Sequence, residues 1–560
     1  ALRTEGGDAL REQIRGQFAA ALIDEFQDTD PLQCEIFLDI FKDSDTALFL
    51  IGDPKQSIYR FRGADVFSYL SAKQSAQREA TLGTNWRSEP ELIEAVNAVF
   101  QNRPDDPLFY EDIRFEDAQA PMPYERAKLV NHDLAPLQLW SWPGTDKDAQ
   151  PDNPPHKGEA RVGKRLAEQH LPEVVATAIV KLLESDQTIE PREKPNLQPR
   201  DIAVLVKTNK QANAMKAALS RRGVPAVLNT TDSVFDSPEA AELERVLEAV
   251  ATPNHTAALK LALATDIIGR DAEELFKLAE EESALGDLAQ TFADYRDQME
   301  RNGFLAMFRK LLDEQQVRAS LLRFEDGERR LTNLFHLGEL LHETATEQRL
   351  NPAALARWLA QQRQGGRPND ANQLRLESDE DAVKLVTIHR SKGLEYPIVF
   401  LPYTWDRRNT EKQGFVFHPD PRDNPGHLQL DLGSDELAEN RVKAAEENLA
   451  DELRLLYVAL TRARHRCYVV TGCIGGTQGK SLKEITGLGW LLHPALMQQV
   501  DPDNSKAGVQ QLTGESLLAD CETLAAKCPH IQTSILPEAR PDKWTGDGAA
   551  QDHPLQAREF

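Results

Sequence analysis

The stretch that most constrains this chain runs from Phe18 to Asp30, FAAALIDEFQDTD. An apolar run from Phe18 to Ile23 stops abruptly at two carboxylates, Asp24 and Glu25. A short apolar run bounded by polar residues reads as a buried strand of the kind found in parallel sheets. Ligands of open α/β sheets sit outside the carboxyl ends of the strands, so Asp24 and Glu25 emerge where a ligand would bind. An Asp there suits Mg2+, a hard cation that prefers oxygen ligands and phosphates. A neighbouring Glu can orient and deprotonate an attacking water. Together the two acids read as the Walker B strand end of a nucleotide hydrolase.

Downstream, Leu32, Ile36, Phe37 and Ile40 give Pro31 to Phe41 a helical stripe, and Ala47 to Ile51 reads as a second buried strand. Two strands joined by a helix imply a parallel α/β layer. The second strand ends in Gly52-Asp53-Pro54-Lys55-Gln56, which puts the neutral amide of Gln56 where a γ-phosphate or its attacking water would be. Tyr59-Arg60-Phe61-Arg62 then interleaves aromatic and cationic side chains, a pattern suited to base stacking and phosphate contact on a single strand. In Thr84-Asn85-Trp86-Arg87-Ser88-Glu89-Pro90, Ser88 reads as the N-cap of a helix whose buried face is Leu92, Ile93, Val96, Val99 and Phe100. Arg87 is a candidate phosphate clamp, because guanidinium pairs bidentately with phosphate oxygens.

A net charge of −25 argues against a protein that coats nucleic acid by bulk electrostatics. It leaves room for a local groove that follows one strand by stacking and a few cations. No apolar run approaches the ~20 residues of a membrane span. Five cysteines in 560 residues make no disulfide framework and point to a reducing, cytoplasmic setting. The spacings of Cys467, Cys473, Cys521 and Cys528 fit no zinc pattern. The start, ALRTEGGDALREQ, shows neither a signal-peptide pattern nor an initiator Met, so the sequence is expected to begin mid-protein.

Farther along, Pro143 to Gly158 and Glu190 to Pro199 read as loops, Val174 to Leu183 as helix, and Asp201 to Val206 as another buried strand. From Ser237 to Asn372 the pattern is helix after helix. Strand character returns at Val383 to Ile388, followed by HRSKGLEY over 389–396 and a strand at Ile398 to Leu401. The last distinctive string is LLYVALTRAR, Leu455 to Arg464.

DEFQDTD, GDPKQSIYRFRGAD and TNWRS, in this order, resemble motifs II, III and IV of superfamily 1A helicases of the UvrD/Rep type. TIHRSKGLEYPIVFLP and LLYVALTRAR resemble motifs V and VI. LRLESDEDAVKLVTIHRSKGLEYP and ELRLLYVALTRA bring the stretch from residue 1 to about 475 nearest to the RecB family, the beta subunits of exodeoxyribonuclease V, with AddA-type helicase–nucleases as runner-up. The resemblance implies an α/β fold of RecA-like P-loop NTPase motor domains, parallel sheets flanked by helices, with an inserted all-helical domain. Residues 1–82 would belong to motor domain 1A, 83–236 and 376–475 to motor domain 2A, 237–375 to a helical 2B-like insertion, and 476–560 to a linker toward a nuclease domain.

The resemblance also implies an ATP-dependent 3′→5′ DNA helicase acting in double-strand break repair and recombination, using ATP and Mg2+. Asp24 would hold Mg2+ and Glu25 would be the general base, while Gln56, Arg87 and Arg462 would meet the phosphates. Arg462 would serve as arginine finger. Glu395 would bond the ribose, and Tyr59, Phe61, Arg62, His389, Ser391 and Lys392 would meet DNA. Partners would be single-stranded and duplex-end DNA and RecC-like and RecD-like subunits, with no membrane. A stand-alone UvrD-type repair helicase and a non-catalytic helicase-fold scaffold are the alternatives.

Two features depart from the pattern. No G-x-x-x-x-G-K-[ST] string precedes Asp24, so this chain by itself is expected not to hydrolyse ATP. Gly475-Gly476-Thr477-Gln478-Gly479-Lys480-Ser481 is one residue short of a P-loop, follows motif VI, and reads as a surface loop. Residues 476–560 also carry no clustered Asp/Glu–Lys motif of a nuclease.

Overall fold

A computed structural model describes residues 2–3, 6–42, 44–103, 107–108, 113–144, 162–193, 195–229, 234–280, 282–324, 327–365, 381–407, 415–421, 426–472, 474, 485–493 and 514–544. The chain divides into one unit of Ala1–Asn229 with Glu380–Phe560 and a second of Thr230–Asp379. The GGTQGKS string and Cys473 lie outside the described residues.

The first unit opens with a small parallel sheet. Strands Ala20–Ile23 (β1) and Ala47–Leu50 (β2) pair in register, Leu22 opposite Phe49. The connection between them is the helix Pro31–Phe41, started by Asp30, whose side chain accepts from the Gln33 amide while Gln33 returns the bond to the Asp30 amide. This reciprocal capping satisfies two backbone donors at the helix start. Ala21 packs with Ile40 and Phe41, and Ile23 and Leu50 pack around Phe26. The opposite face stays open: Phe18, Leu22 and Phe49 are 51%, 64% and 53% exposed. The expectation of buried strands is therefore corrected for both β1 and β2: only Ala21 of the first and no residue of the second is buried in this chain. Their side chains alternate, as a strand's must, and helices cover one face.

The remaining strands, in chain order, are Lys128–Val130 (β3), Leu137–Trp142 (β4), Thr188–Glu190 (β5), Ile202–Val206 (β6), Ala226–Asn229 (β7), Val383–Thr387 (β8), Tyr396–Leu401 (β9), Phe415–Phe417 (β10), Gln429–Asp431 (β11), Ala463–Gly472 (β12) and Ile531–Ile535 (β13). Seven of them form one sheet in the order β13-β4-β12-β9-β6-β8-β7. All its pairings are parallel. Alternate residues feed two cores. Ala203, Leu205, Val399, Leu401, Cys467 and Val469 face one side, with the helices Pro90–Gln101 and Leu437–Leu460. Ile202, Val204, Val206, Ile398, Phe400, Tyr468 and Val470 face the other, with Lys164–Leu183 and Asn209–Ser220. A sheet covered on both faces requires continuous apolar runs such as IAVLV and YPIVFL.

Two local expectations change. Glu89, not Ser88, is the cap residue of Pro90–Gln101, and the Ser88 hydroxyl instead donates to the Ala463 carbonyl at 2.7 Å. The reading of 476–560 as a linker does not describe residues 514–535. The helix Gly514–Lys527 buries Leu517, Cys521 and Leu524, and β13 pairs with β4 as an edge strand of the main sheet. Its pattern, IQTSI, is half polar because an edge strand is half exposed, and so it carries little strand signal.

All the regular structure among the second unit's described residues is helical, from the 3-10 turn Val234–Asp236 to the helix Pro352–Gly365. Leu243, Val246, Leu247 and Val250 recur at helical spacing and pack with Phe292, Phe308, Leu337 and Leu359. Arg330 is buried there against Glu239 at 2.9 Å, Glu242 at 3.1 Å and Asp266 at 2.8 Å. Among the described residues, no helix of the chain is long and apolar enough to cross a membrane.

Candidate functional site

The acids after β1 meet the loop after β8 across the first unit. Asp24 is exposed, and its side chain accepts the Glu25 amide at 2.8 Å. Glu25 is also exposed and takes a left-handed backbone, φ 50°, uncommon for a residue with a side chain. Such a conformation persists only where the surroundings impose it. Gln27, 1% exposed, imposes much of it here. Its Nε2 donates to Glu25, its Oε1 accepts the Asp53 amide at 2.9 Å, and its carbonyl accepts the Ser57 hydroxyl at 3.0 Å. A Cβ on Gly52 would lie 2.3 Å from Gln27 Oε1, so only glycine allows this approach.

Lys392 closes the site from the other side. Its ammonium lies 3.2 Å from Glu25 Oε2, pairs closely with Asp28, and donates to the Gln56 carbonyl at 2.8 Å. Asp28 and Lys392 stand 364 positions apart in the chain. Burial pushes the Asp28 carboxyl up, against the opposing pull of Lys392. The Lys392 side chain is 6% exposed, and Ser391 is fully buried with its hydroxyl donating to Ile388 at 2.7 Å. Neither residue presents its polar group to solvent in this structure. Gln56 is turned toward the same loop, its Nε2 donating to Asp53 at 3.0 Å.

A cluster of arginines forms a second wall. The Arg462 guanidinium is 1% exposed and donates to the carbonyls of Val458 at 2.9 Å and Leu394 at 3.2 Å and to the Thr461 hydroxyl at 3.0 Å. Burial, and then the neighbouring Arg87 cation, bring its pKa down to about 10, while the Glu25 carboxylate opposes them. Arg462 remains a cation at neutral pH, facing Arg87 on one side and the acids on the other. Arg87 donates to the Thr461 carbonyl at 3.1 Å. Glu395 is held by Arg126 at 3.0 Å, Arg87 at 3.5 Å and Arg464 at 3.8 Å.

The third group is aromatic. Phe61, 61% exposed, meets the His389 ring edge-on at 5.1 Å, and Tyr59 lies 6.0 Å from Phe61 and 6.4 Å from His389. Arg62 lies over Tyr59 at 5.3 Å and over Phe61 at 5.6 Å. The Tyr59 hydroxyl donates to the His389 carbonyl at 2.9 Å. The 3-10 turn Arg60–Arg62 that exposes Phe61 closes on Gly63, φ 94°.

Several residues of the site were not named from the sequence. Gln27 and Asp28 sat inside DEFQDTD, where a neutral side chain among acids is the available signal. Trp86, 66% exposed beside Arg87, sat inside TNWRS. Arg126, which also donates to the Trp86 carbonyl at 2.6 Å, stands in a loop with no pattern around it, and no sequence signal marks it.

The donor set fits a hard divalent cation held with a phosphate ligand. Asp24 is open at a strand end, and Asp28 Oδ1 is buried with no hydrogen-bond partner. Among the described residues no three His, Cys, Asp or Glu side chains converge as a metal cage. Mg2+ is usually bound by one or two carboxylates together with substrate phosphates, so a cage is not required.

An acidic strand end lies near Arg87, just before the helix Pro90–Gln101, and Arg462, just before β12, with exposed aromatic side chains on the loop after β2, an arrangement in keeping with the helicase class. The chain belongs to the UvrD-like helicase family: residues 2–77 match the UvrD/REP helicase N-terminal domain, and residues 80–349 and 288–472 match the UvrD-like helicase C-terminal domain. Within it the chain is similar to RecBCD enzyme subunit RecB. It is 36% identical to that of Escherichia coli strain K12 over 478 residues, 83% of this chain and 38% of that protein. For Haemophilus influenzae strain Rd the identity is 38% over 474 residues, 83% of this chain and 37% of that protein. For Mycobacterium tuberculosis strain H37Rv it is 34% over 475 residues, 81% of this chain and 40% of that protein. The chain spans about two fifths of the length of these relatives.

Proposed function

We propose that this chain is the motor region of an ATP-dependent DNA helicase of the RecBCD type, moving 3′→5′ on one strand in double-strand break repair and recombination. RecC-like and RecD-like subunits would be its partners, in the cytoplasm, and the longer protein would also carry a nuclease. The observation that carries the reading is the contact of Lys392 with both Glu25 and Asp28, which brings two strand ends distant in sequence to one polar site.

Magnesium-bound ATP would supply the phosphoanhydride whose cleavage drives motion. Asp24 is suited to hold the metal, directly or through water, and Glu25, next to it and exposed, to take a proton from the attacking water. Gln56 would report the state of the phosphates to Tyr59 and Phe61. Arg87 and Arg462 would stabilise charge on the phosphates from the facing wall. Glu395, now held by three arginines, would accept from the ribose, and the exposed Trp86 ring beside Arg87 offers a face for the base. Tyr59, Phe61, Arg62 and His389 form the surface on which bases of a single strand would stack.

The test is Glu25→Gln in the full-length protein. Single-strand-stimulated ATP hydrolysis is expected to fall by about 100-fold or more, the range for loss of a general base, with ATP binding retained. Wild-type turnover would remove Glu25 from the chemistry and the motor reading with it.

A further inference from the structure

Arg60 sits between Tyr59 and Phe61, yet it points away from the aromatic surface. One nitrogen of its guanidinium donates to Asp451 at 3.0 Å, and another lies 2.6 Å from Glu447 and donates to the Val416 carbonyl at 3.1 Å. Glu447 and Asp451 are four apart on the helix Leu437–Leu460 and so share a face. The same face returns a cation. Arg454, with its side chain 4% exposed, donates to the Ser57 carbonyl at 2.9 Å and pairs with Asp451. The loop and the helix are therefore tied twice, at Ser57 and at Arg60, both between Gln56 and Phe61.

The tie is braced from behind. The His418 amide donates to Glu447 at 2.7 Å, and its ring lies 3.2 Å from Glu447 and 3.5 Å from Asp65. Asp65 in turn accepts the Phe67 and Ser68 amides that begin the helix Val66–Gln74. Glu447 and His418 are buried, and losing one partner of a buried ion pair strands the other charge.

On the motor reading above, this placement has a consequence. Gln56 lies at one end of the tied loop and Phe61 at the other. The helix holding the other side runs about 14 Å from Asp451 to its last residue, Leu460, at the ordinary rise of an α-helix, and Arg462 follows two residues later. We propose that the Arg60–Asp451–Glu447 cluster couples the two functions of the motor, making the phosphate-facing Gln56 and Arg462 move together with the stacking surface. Arg60, Asp451 and Glu447 are positioning residues: they touch neither phosphates nor bases.

The experiment compares Asp451→Asn with wild type in the full-length protein, measuring base pairs unwound per ATP hydrolysed together with the thermal midpoint. Base pairs per ATP are expected to fall about three- to tenfold, the size of ordinary coupling effects, while ATP hydrolysis without DNA and KM for ATP stay within about twofold. Asp451→Glu, which keeps the charge, restores the ratio. Arg60→Lys keeps a cation but cannot fork across two carboxylates, and is expected to lower the ratio as well. A folded Asp451→Asn or Arg60→Lys protein with a wild-type ratio overturns the proposal. Glu25→Gln run alongside separates the two ideas. If it hydrolyses ATP like wild type, the motor reading fails. If it is inactive while Asp451→Asn unwinds normally per ATP, only the coupling role fails.

Discussion

The two parallel sheets of the first unit are written in similar letters and end up covered differently. In the seven-stranded sheet, β6 lies between β9 and β8, and all of Ile202 to Val206 are 0–1% exposed. In the two-stranded sheet, Leu22 and Phe49 face each other in register and are more than half exposed. An apolar run reports that a strand can be buried. It does not report how many layers the rest of the chain supplies. Arg462 and Lys392 lie beside strands of the large sheet and are held by hydrogen bonds and ion pairs. The small one carries Asp24 and Glu25 on a strand end held by polar contacts, chiefly those of Gln27.

The sharpest contrast comes from placing a charge in the covered sheet. Val204 is 0% exposed and pairs with Leu385 on one side and Phe400 on the other. Val204→Asp is expected to cost about 4 kcal/mol or more, since a buried unpaired carboxylate is among the most destabilising changes known. That is a large part of the stability of an ordinary domain. Loss of the cooperative thermal transition would be the signature. A transition near that of wild type would mean that the sheet is less closed than it looks.

The junction between the sheets gives a smaller and pH-dependent effect. Lys392 is the cation that meets Asp28 and Glu25. Burial already raises the Asp28 carboxyl, so its ionised form weighs against folding above its folded pKa, and that weight lifts as pH falls through it. Lys392→Met removes the opposing cation and enlarges the weight. Urea unfolding is expected to show a loss of about 1–3 kcal/mol near neutral pH, the cost of leaving a buried acceptor unpaired. The loss should shrink on acidification, as Asp28 takes up its proton. An equal loss across the range would place the contribution of Lys392 in packing instead of charge.

How much of this was legible follows the same division. The strands Asp201 to Val206 and Val383 to Ile388 could be read nearly to the residue, because burial on both faces leaves an unbroken apolar run. The motif residues Asp24, Glu25, Gln56, Arg87, Glu395 and Arg462 could be named as candidates by type and order. Their contacts could not. Lys392 and Ser391 sat in a polar string that reads as surface, and only the closeness of two distant segments shows that one is turned into the acids and the other buried. Arg60 looked like its neighbours Tyr59 and Phe61, yet a 3-10 turn, with three residues per turn, points successive side chains in different directions. β13 was missed because an edge strand has polar positions and a weak pattern.

The smallest expected effect lies on the open face, and it bears most directly on the comparison. Phe400 and Phe49 are both strand phenylalanines, 1% and 53% exposed. Phe400→Ala removes a ring stacked on Tyr468 at 4.4 Å and is expected to cost about 3–5 kcal/mol, as buried aromatic truncations do. Phe49→Ser removes a ring that water already reaches in this chain, so its expected cost, measured on this chain, is within about 0.5 kcal/mol. It also breaks up the apolar surface formed with Leu22, so self-association at high concentration should fall. Thermal melts of the two variants beside wild type, together with sedimentation, read both quantities. A Phe49→Ser loss as large as that of Phe400→Ala would mean that this face is covered in solution. The concentration dependence of the melt would then say whether a second copy covers it. Two sheets with the same lettering would differ, in that case, only in which chain completes them.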